Sequence, residues 1–256
     1  MIPAGWLAPP WCLGGVAGVM TSRAGGTSVG AFRSMNVGDR VGDDPACVVA
    51  NRRLLAEAIG AAPVYLRQVH GTRVVRIASR DAEQGAGVQE ADGCVTVEPG
   101  IACVVQAADC LPVLIAARNG RAVGAAHAGW RGLAAGVVEA TVASVCEAAA
   151  CAPREIVAWL GACIGPRSFE VGADVLAAFG APPDAVAAER FRPLRPGKWL
   201  ANLPLLARDR LAAAGVTQVE AAEACTVEES SRFFSFRRDG VTGRMAAAVW
   251  IEPARR

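Results

Sequence analysis

Three apolar runs of strand length follow one another between residues 101 and 126: Ile101 to Gln106, Leu111 to Ala116 and Arg121 to Ala126. They are parted only by a break at Asp109-Cys110 and by Asn119-Gly120, a dipeptide suited to a tight hairpin turn. The segment that follows, Leu133 to Ala150, is alanine-rich and free of breakers after Gly136. It reads as one helix starting just after Gly129-Trp130-Arg131-Gly132. A second helix is expected from Asp44-Pro45 to Gly60, with a capping carboxylate, a first-turn proline and a closing glycine. Further helices are expected from about Ala173 to Phe179 and from Leu205 to Ala214, and further strands at Val64 to Val69, Ile156 to Leu160, Val216 to Ala221 and Arg244 to Ile251. Adjacent strands and hairpins mixed with helices predict an α+β fold: a mixed β-sheet core flanked by helices, in a single domain over residues 1–256.

Composition narrows the class of function. An apolar fraction of 53% over 256 residues supplies a large core. The balance of 26 basic against 24 acidic residues, with the arginines scattered, argues against nucleic acid as partner. The first 22 residues carry no charge, yet Pro3, Pro9, Pro10, Gly14, Gly15 and Gly18 interrupt any apolar helix and no basic segment precedes it. Neither a membrane span nor an export signal is expected. Nine cysteines, an odd number without a C-x-x-C pair, fit a reduced cytoplasm better than a disulfide scaffold. A cytoplasmic monomer is the expectation.

The two histidines, His70 and His127, both sit beside glycines at the ends of apolar runs, in Gln68-Val69-His70-Gly71 and Ala126-His127-Ala128-Gly129-Trp130-Arg131-Gly132. Ala108-Asp109-Cys110-Leu111-Pro112 lies between them. Separations of 40 and 17 residues exclude a local zinc finger, so the fold must assemble any site from separate strand ends. Two imidazoles and a thiolate suit a zinc ion with one open position. The metal ligands would then be His70, Cys110 and His127, with Asp109 and Asp92 placed to orient a ligand or carry protons. A blue-copper site would add an axial methionine, and none of the four methionines is near Cys110 or His127 in sequence. Copper-dependent polyphenol oxidation is therefore disfavoured, although Cu2+ itself suits the donors. The remaining cysteines read as small core residues. Ser22-Arg23-Ala24-Gly25-Gly26-Thr27-Ser28 reads either as a flexible turn or as an anion-binding loop, and Arg237, Arg238 and Arg244 around Asp239-Gly240 as a charged hairpin.

These motifs together with Ala91-Asp92-Gly93, Gly165-Pro166 and Phe169-Glu170-Val171-Gly172 resemble the signature of the laccase-domain family, also known as polyphenol oxidase, peptidoglycan editing factor and YfiH-type purine nucleoside phosphorylase. The resemblance runs from Thr21-Ser22-Arg23 and Met35-Asn36-Val37-Gly38 to Gly243-Arg244. It implies a zinc-associated α+β enzyme that splits adenosine, inosine, guanosine and methylthioadenosine with phosphate, with adenosine deamination as a side activity. The family's metal ligands carry over onto His70, Cys110 and His127, and Cys110 is counted with the catalytic residues. Phe169 stands where the family more often has Tyr, and Asn202 where an acidic residue is usual. Arg23, Arg131 and Arg244 suit phosphate as charge-assisted donors, and Asn36 is taken with them as substrate-binding.

Two other readings stay open. Cys110 activated by either histidine would make a metal-independent hydrolase or amidase acting in peptidoglycan editing. Alternatively, Cys94 or Asp109 would close a purely structural zinc site.

Overall fold

The structure, a computed structural model, describes residues 2–83, 85–181 and 189–253. Two sheets stack face to face and a helix layer covers each outer face. The first sheet has the order β1 (Val16–Met20), β13 (Met245–Ile251), β5 (Ile101–Ala107), β2 (Ala62–Val64). The second has the order β12 (Gln218–Ala221), β8 (Ile156–Leu160), β6 (Leu111–Ala117), β7 (Val123–Ala128), β4 (Gly93–Thr96), β3 (Val74–Arg76). Three pairs, β2 with β5, β3 with β4 and β12 with β8, are parallel and the remaining ladders antiparallel. Both sheets are thus mixed, as the α+β reading expects. A small third sheet, β9 (Glu170–Val171), β11 (Lys198–Ala201) and β10 (Phe191–Arg195), lies apart from them.

Strand alternation divides the core. On β5, Cys103 and Val105 face the second sheet, while Ala102 and Val104 face α1 (Pro45–Ile59). On β6, Leu114 and Ala116 point between the sheets, and Val113 and Ile115 point toward α3 (Val137–Ala149) and α5 (Leu203–Ala213). Because both faces are covered, these strands read as unbroken apolar runs. The α1 boundaries follow their signals: Asp44 accepts from the Ala46 N–H, and Gly60 closes the helix in the left-handed region.

Three expectations are corrected. The predicted helix over Leu133 to Ala150 is two helices, α2 (Trp130–Ala135) and α3, broken at Gly136 with φ +103. Only glycine takes that corner without strain, and its N–H satisfies the carbonyls of Gly132 and Leu133. The strand predicted over Val64 to Val69 stops at Val64; beyond it Arg67 makes only an isolated parallel bridge to Glu90, and residues 69–71 wrap around a buried carboxylate. The Arg237-Arg238 segment is a short helix, α6 (Phe236–Asp239), not a hairpin. Among the described residues, no helix is long and apolar enough to cross a membrane.

Candidate metal centre and active site

Cys110 closes the bend between β5 and β6, His127 lies near the end of β7, and His70 sits in the loop after β2. One donor atom from each lies within 4.8 Å of the others. The imidazole rings meet edge to face with centroids 4.8 Å apart, and Cys110 Sγ is 3.6 Å from His70 Nε2. His127 is buried, Cys110 half-buried and His70 exposed. The three distant residues of the sequence reading therefore converge.

Asp92, fully buried just before β4, ties both histidines in place. Its Oδ1 accepts from His127 Nδ1 at 2.8 Å and from the His70 backbone N–H at 2.9 Å; its Oδ2 accepts from the N–H groups of Val69 at 3.1 Å and Gly71 at 2.7 Å. With Nδ1 committed, His127 turns Nε2 to the site. Burial pushes the Asp92 carboxyl up, but the bonds from His127, Gly71 and Val69 outweigh it and hold the group below the usual carboxylate range. Asp109 is likewise occupied, with Oδ1 accepting from Thr226 Oγ1 and Oδ2 from the Arg237 N–H, both at 2.6 Å. Both aspartates therefore position other groups.

Burial also works against ionisation of Cys110, yet the charge of His127 and hydrogen bonds from both histidines bring its thiol down to about 6. His127 shows the complementary shift: burial opposes its charge, while Cys110 and Asp92 favour it and raise the imidazole to about 9. The donor set fits a borderline-soft ion such as zinc. The backbone leaves room for it: a Cβ at Gly129, the N-cap of α2, would stand 2.7 Å from His70 Cδ2 and 3.0 Å from Cys110 Sγ. No fourth His, Cys, Asp or Glu joins the group among the described residues. Cys94 is buried between the sheets, and the sulfurs of Met20 and Met245 accept backbone N–H groups in the core. The donors for a closed structural zinc or for an axial thioether are thus engaged elsewhere.

A cavity of about 440 Å³ opens over His70, Cys110 and His127 and extends past Arg244, Arg40 and Phe236. Its size is that of a small-molecule site. Of the predicted substrate-binding residues only Arg244 lines it. Arg23 spends its guanidinium on the carbonyls of Arg33 and Ser230 and stacks on Phe234. Arg131 stacks on the Trp130 ring. Asn36 is fully buried, accepting from the Gly38 and Arg244 N–H groups, and so positions the backbone of Arg244 without touching the cavity. Arg40, Phe236 and Thr226 escaped sequence reasoning, since an arginine after Gly-Asp, an exposed phenylalanine or a buried threonine carries no local signature.

The fold and the three-donor site place the chain among the α+β proteins with a His-Cys-His cluster of this type. It belongs to the family described as multi-copper polyphenol oxidoreductase laccase, which matches residues 17–252. It is 45% identical to the purine nucleoside phosphorylase of Pseudomonas aeruginosa, over 96% of this chain and 98% of that one. It is also 45% identical to the purine nucleoside phosphorylase YfiH of Escherichia coli, over 93% and 94% of the two chains. Among solved structures, a Neisseria meningitidis protein matches with a TM-score of 0.89 at 44% identity, covering 97% of this chain and 100% of that one. YlmD of Geobacillus stearothermophilus also matches with a TM-score of 0.89, at 34% identity over 99% and 98%.

Proposed function

We propose that this chain is a purine nucleoside phosphorylase whose reaction runs beside His70, Cys110 and His127. One observation carries the reading: the three-donor cluster opens onto a cavity that also presents Arg244 and Arg40, in a chain whose relatives bear that name. Neither arginine enters an ion pair among the described residues, unlike Arg52 with Asp39 or Arg67 with Glu90. Arg244 gives Nη1 to the carbonyls of Thr242 and Gly243, and its Nε and Nη2, with the Arg40 guanidinium, remain to hold an anion through charge-assisted N–H bonds.

In phosphorolysis a phosphate oxygen bonds to ribose C1′ while the C1′–N9 bond breaks, and its electron pair leaves with the base. Arg244 and Arg40 bind and orient the phosphate. Asp92 holds His127 and the His70 loop rigid, so the site is organised before substrate arrives. A zinc ion held by His70, Cys110 and His127 would supply Lewis acidity there. Adenosine, inosine, guanosine and methylthioadenosine are the proposed substrates, and adenosine deamination a side reaction. The protein is proposed to act as a cytoplasmic, single-domain monomer without nucleic acid or membrane partners. Incubating it with adenosine, with and without phosphate, tests this reading. Adenine appearing only with phosphate supports it, inosine reports deamination, and unchanged adenosine overturns it.

The lowered Cys110 thiol beside a raised His127 imidazole favours one other reading, a Cys-His hydrolase. Metal chelation separates the two: the hydrolase would stay active and the phosphorylase would lose rate.

A further inference from the structure

A second cavity, of about 430 Å³, opens at the edge of the six-stranded sheet, where Leu160 and Ala221 end the parallel strands β8 and β12. It shares no lining residue with the arginine-lined cavity over Cys110. Its inner wall is tied down. The Thr226 N–H donates to the Cys163 carbonyl at 2.9 Å and the Gly165 N–H to Cys225 Sγ at 3.2 Å, while the Ile164 N–H and Thr226 Oγ1 are both fixed on Asp109. A space of this size whose walls are already ordered suits a small molecule, because little is spent on arranging it.

The lining narrows the class of ligand. Leu160, Pro166, Pro204 and Leu205 supply apolar surface. Four charged side chains join them, and two of these satisfy each other: Arg167 pairs with Glu228, whose other oxygen accepts from Ser168 Oγ at 3.0 Å. Arg208 and Glu223 enter no ion pair among the described residues, with each other or with a neighbour. Arg208 gives Nη1 to the Val219 carbonyl at 2.7 Å, which leaves its Nε and Nη2. Asn202 caps α5 by accepting the Leu205 N–H at Oδ1, 3.2 Å away, and so keeps Nδ2 as a further donor to the same cavity. The space therefore presents N–H donors for a carboxylate, one unpaired carboxylate for a cation, and apolar walls. A ligand of a single charge would meet one of these groups and oppose the other.

We infer that this cavity binds a free α-amino acid with an apolar side chain, its carboxylate on Arg208 and Asn202, its ammonium on Glu223 and its side chain against the leucines and prolines. The site stands apart from the phosphorylase reading, since no residue of the three-donor centre takes part. Charge-assisted bonds at both ends select the amino acid, and apolar burial selects its side chain.

The test is calorimetric titration of the purified protein with L-leucine, with 4-methylpentanoate, which lacks the ammonium, with 3-methylbutylamine, which lacks the carboxylate, and with glycine. Losing either charged group predicts binding at least about tenfold weaker than that of leucine. Glycine should bind more weakly too, because it leaves the apolar walls unfilled. Arg208→Gln should remove the preference for leucine over 3-methylbutylamine, but it also gives up the bond to Val219. The deciding variant is Glu223→Gln, at an exposed position that spares the fold. In that protein leucine should lose its advantage over 4-methylpentanoate. Leucine should also slow alkylation of Cys225, which lines the cavity, by iodoacetamide, as read by peptide mass spectrometry. The absence of saturable binding at millimolar leucine overturns the assignment. So does a Glu223→Gln protein that still prefers leucine to 4-methylpentanoate, or Cys225 alkylation that leucine leaves unchanged.

Discussion

Replacing Asp92 by asparagine should damage stability and metal affinity together, because one carboxylate holds both histidine segments. The side chain is fully buried and accepts four hydrogen bonds, three of them from consecutive backbone N–H groups at residues 69–71. Asparagine retains one acceptor oxygen for His127 and His70 but turns an amide N–H2 toward the N–H groups of Val69 and Gly71. Two part-buried donors lose their buried acceptor, each at up to about 1–3 kcal/mol, for a loss of at most about 2–6 kcal/mol. That is a large share of a typical domain's ~5–15 kcal/mol. Urea unfolding measures the stability change, and zinc competition against a chromogenic chelator should show affinity about 10–100-fold weaker. The Asp92 pKa lies below its ordinary value. Its contribution is therefore complete above the unfolded carboxyl pKa of ~3.9 and is lost as pH falls through the lower folded value. Asp92→Asn should lack that part of the acid limb. An Asp92→Asn protein within about 1 kcal/mol of wild type, with unchanged zinc affinity, would refute the reasoning.

Gly129→Ala keeps an allowed backbone, φ −62, but drives a methyl against His70 and Cys110; metal analysis should find folded protein that retains little zinc. Zinc binding at pH 7.5 should expel about one proton, since the Cys110 thiol near 6 is already ionised there and the His127 imidazole near 9 is still protonated. Calorimetry in buffers of different ionisation enthalpy counts it, and the release should fade above pH 9 and grow below pH 6. Thr226→Val removes the donor to Asp109 Oδ1 and leaves that oxygen unpaired, for a cost of about 1–3 kcal/mol by denaturant titration.

Much of this was legible in the chain because the signals are local. Asp44-Pro45 and Gly60 mark the ends of α1, and Asn119-Gly120 turns β6 into β7. The three metal-ligand candidates were legible because so few side chains offer nitrogen or sulfur donors beside glycines at run ends. What escaped was set by tertiary partners. The loop at residues 69–71, predicted in part as strand, is shaped by Asp92, far along the chain, which accepts from three of its backbone N–H groups. Arg23 carries the charge expected of a phosphate ligand, yet its guanidinium reaches two backbone carbonyls first. Charge is visible in sequence and its occupant is not.

His70 and Asp109 adopt positive φ, 62° and 96°, where residues other than glycine are strained. Each is held there by hydrogen bonds of a carboxylate, Asp92 accepting from the His70 N–H and Asp109 accepting from Thr226 and Arg237. Those two carboxylates are also the ones a deaminase would need to carry protons to and from purine C6. With their oxygens committed to posture, Asp39 is the carboxylate that remains on the wall of the large cavity, and Arg52 stands 3.2 Å from it. Phosphorolysis asks less of a carboxylate, because phosphate, held by the arginines, is already the anionic nucleophile and the base leaves with the electron pair. Adenosine with saturating phosphate should therefore give adenine in large excess over inosine by chromatography. Inosine as the main product would mean that one of these aspartates leaves its partners during turnover, and would overturn their assignment as positioning groups.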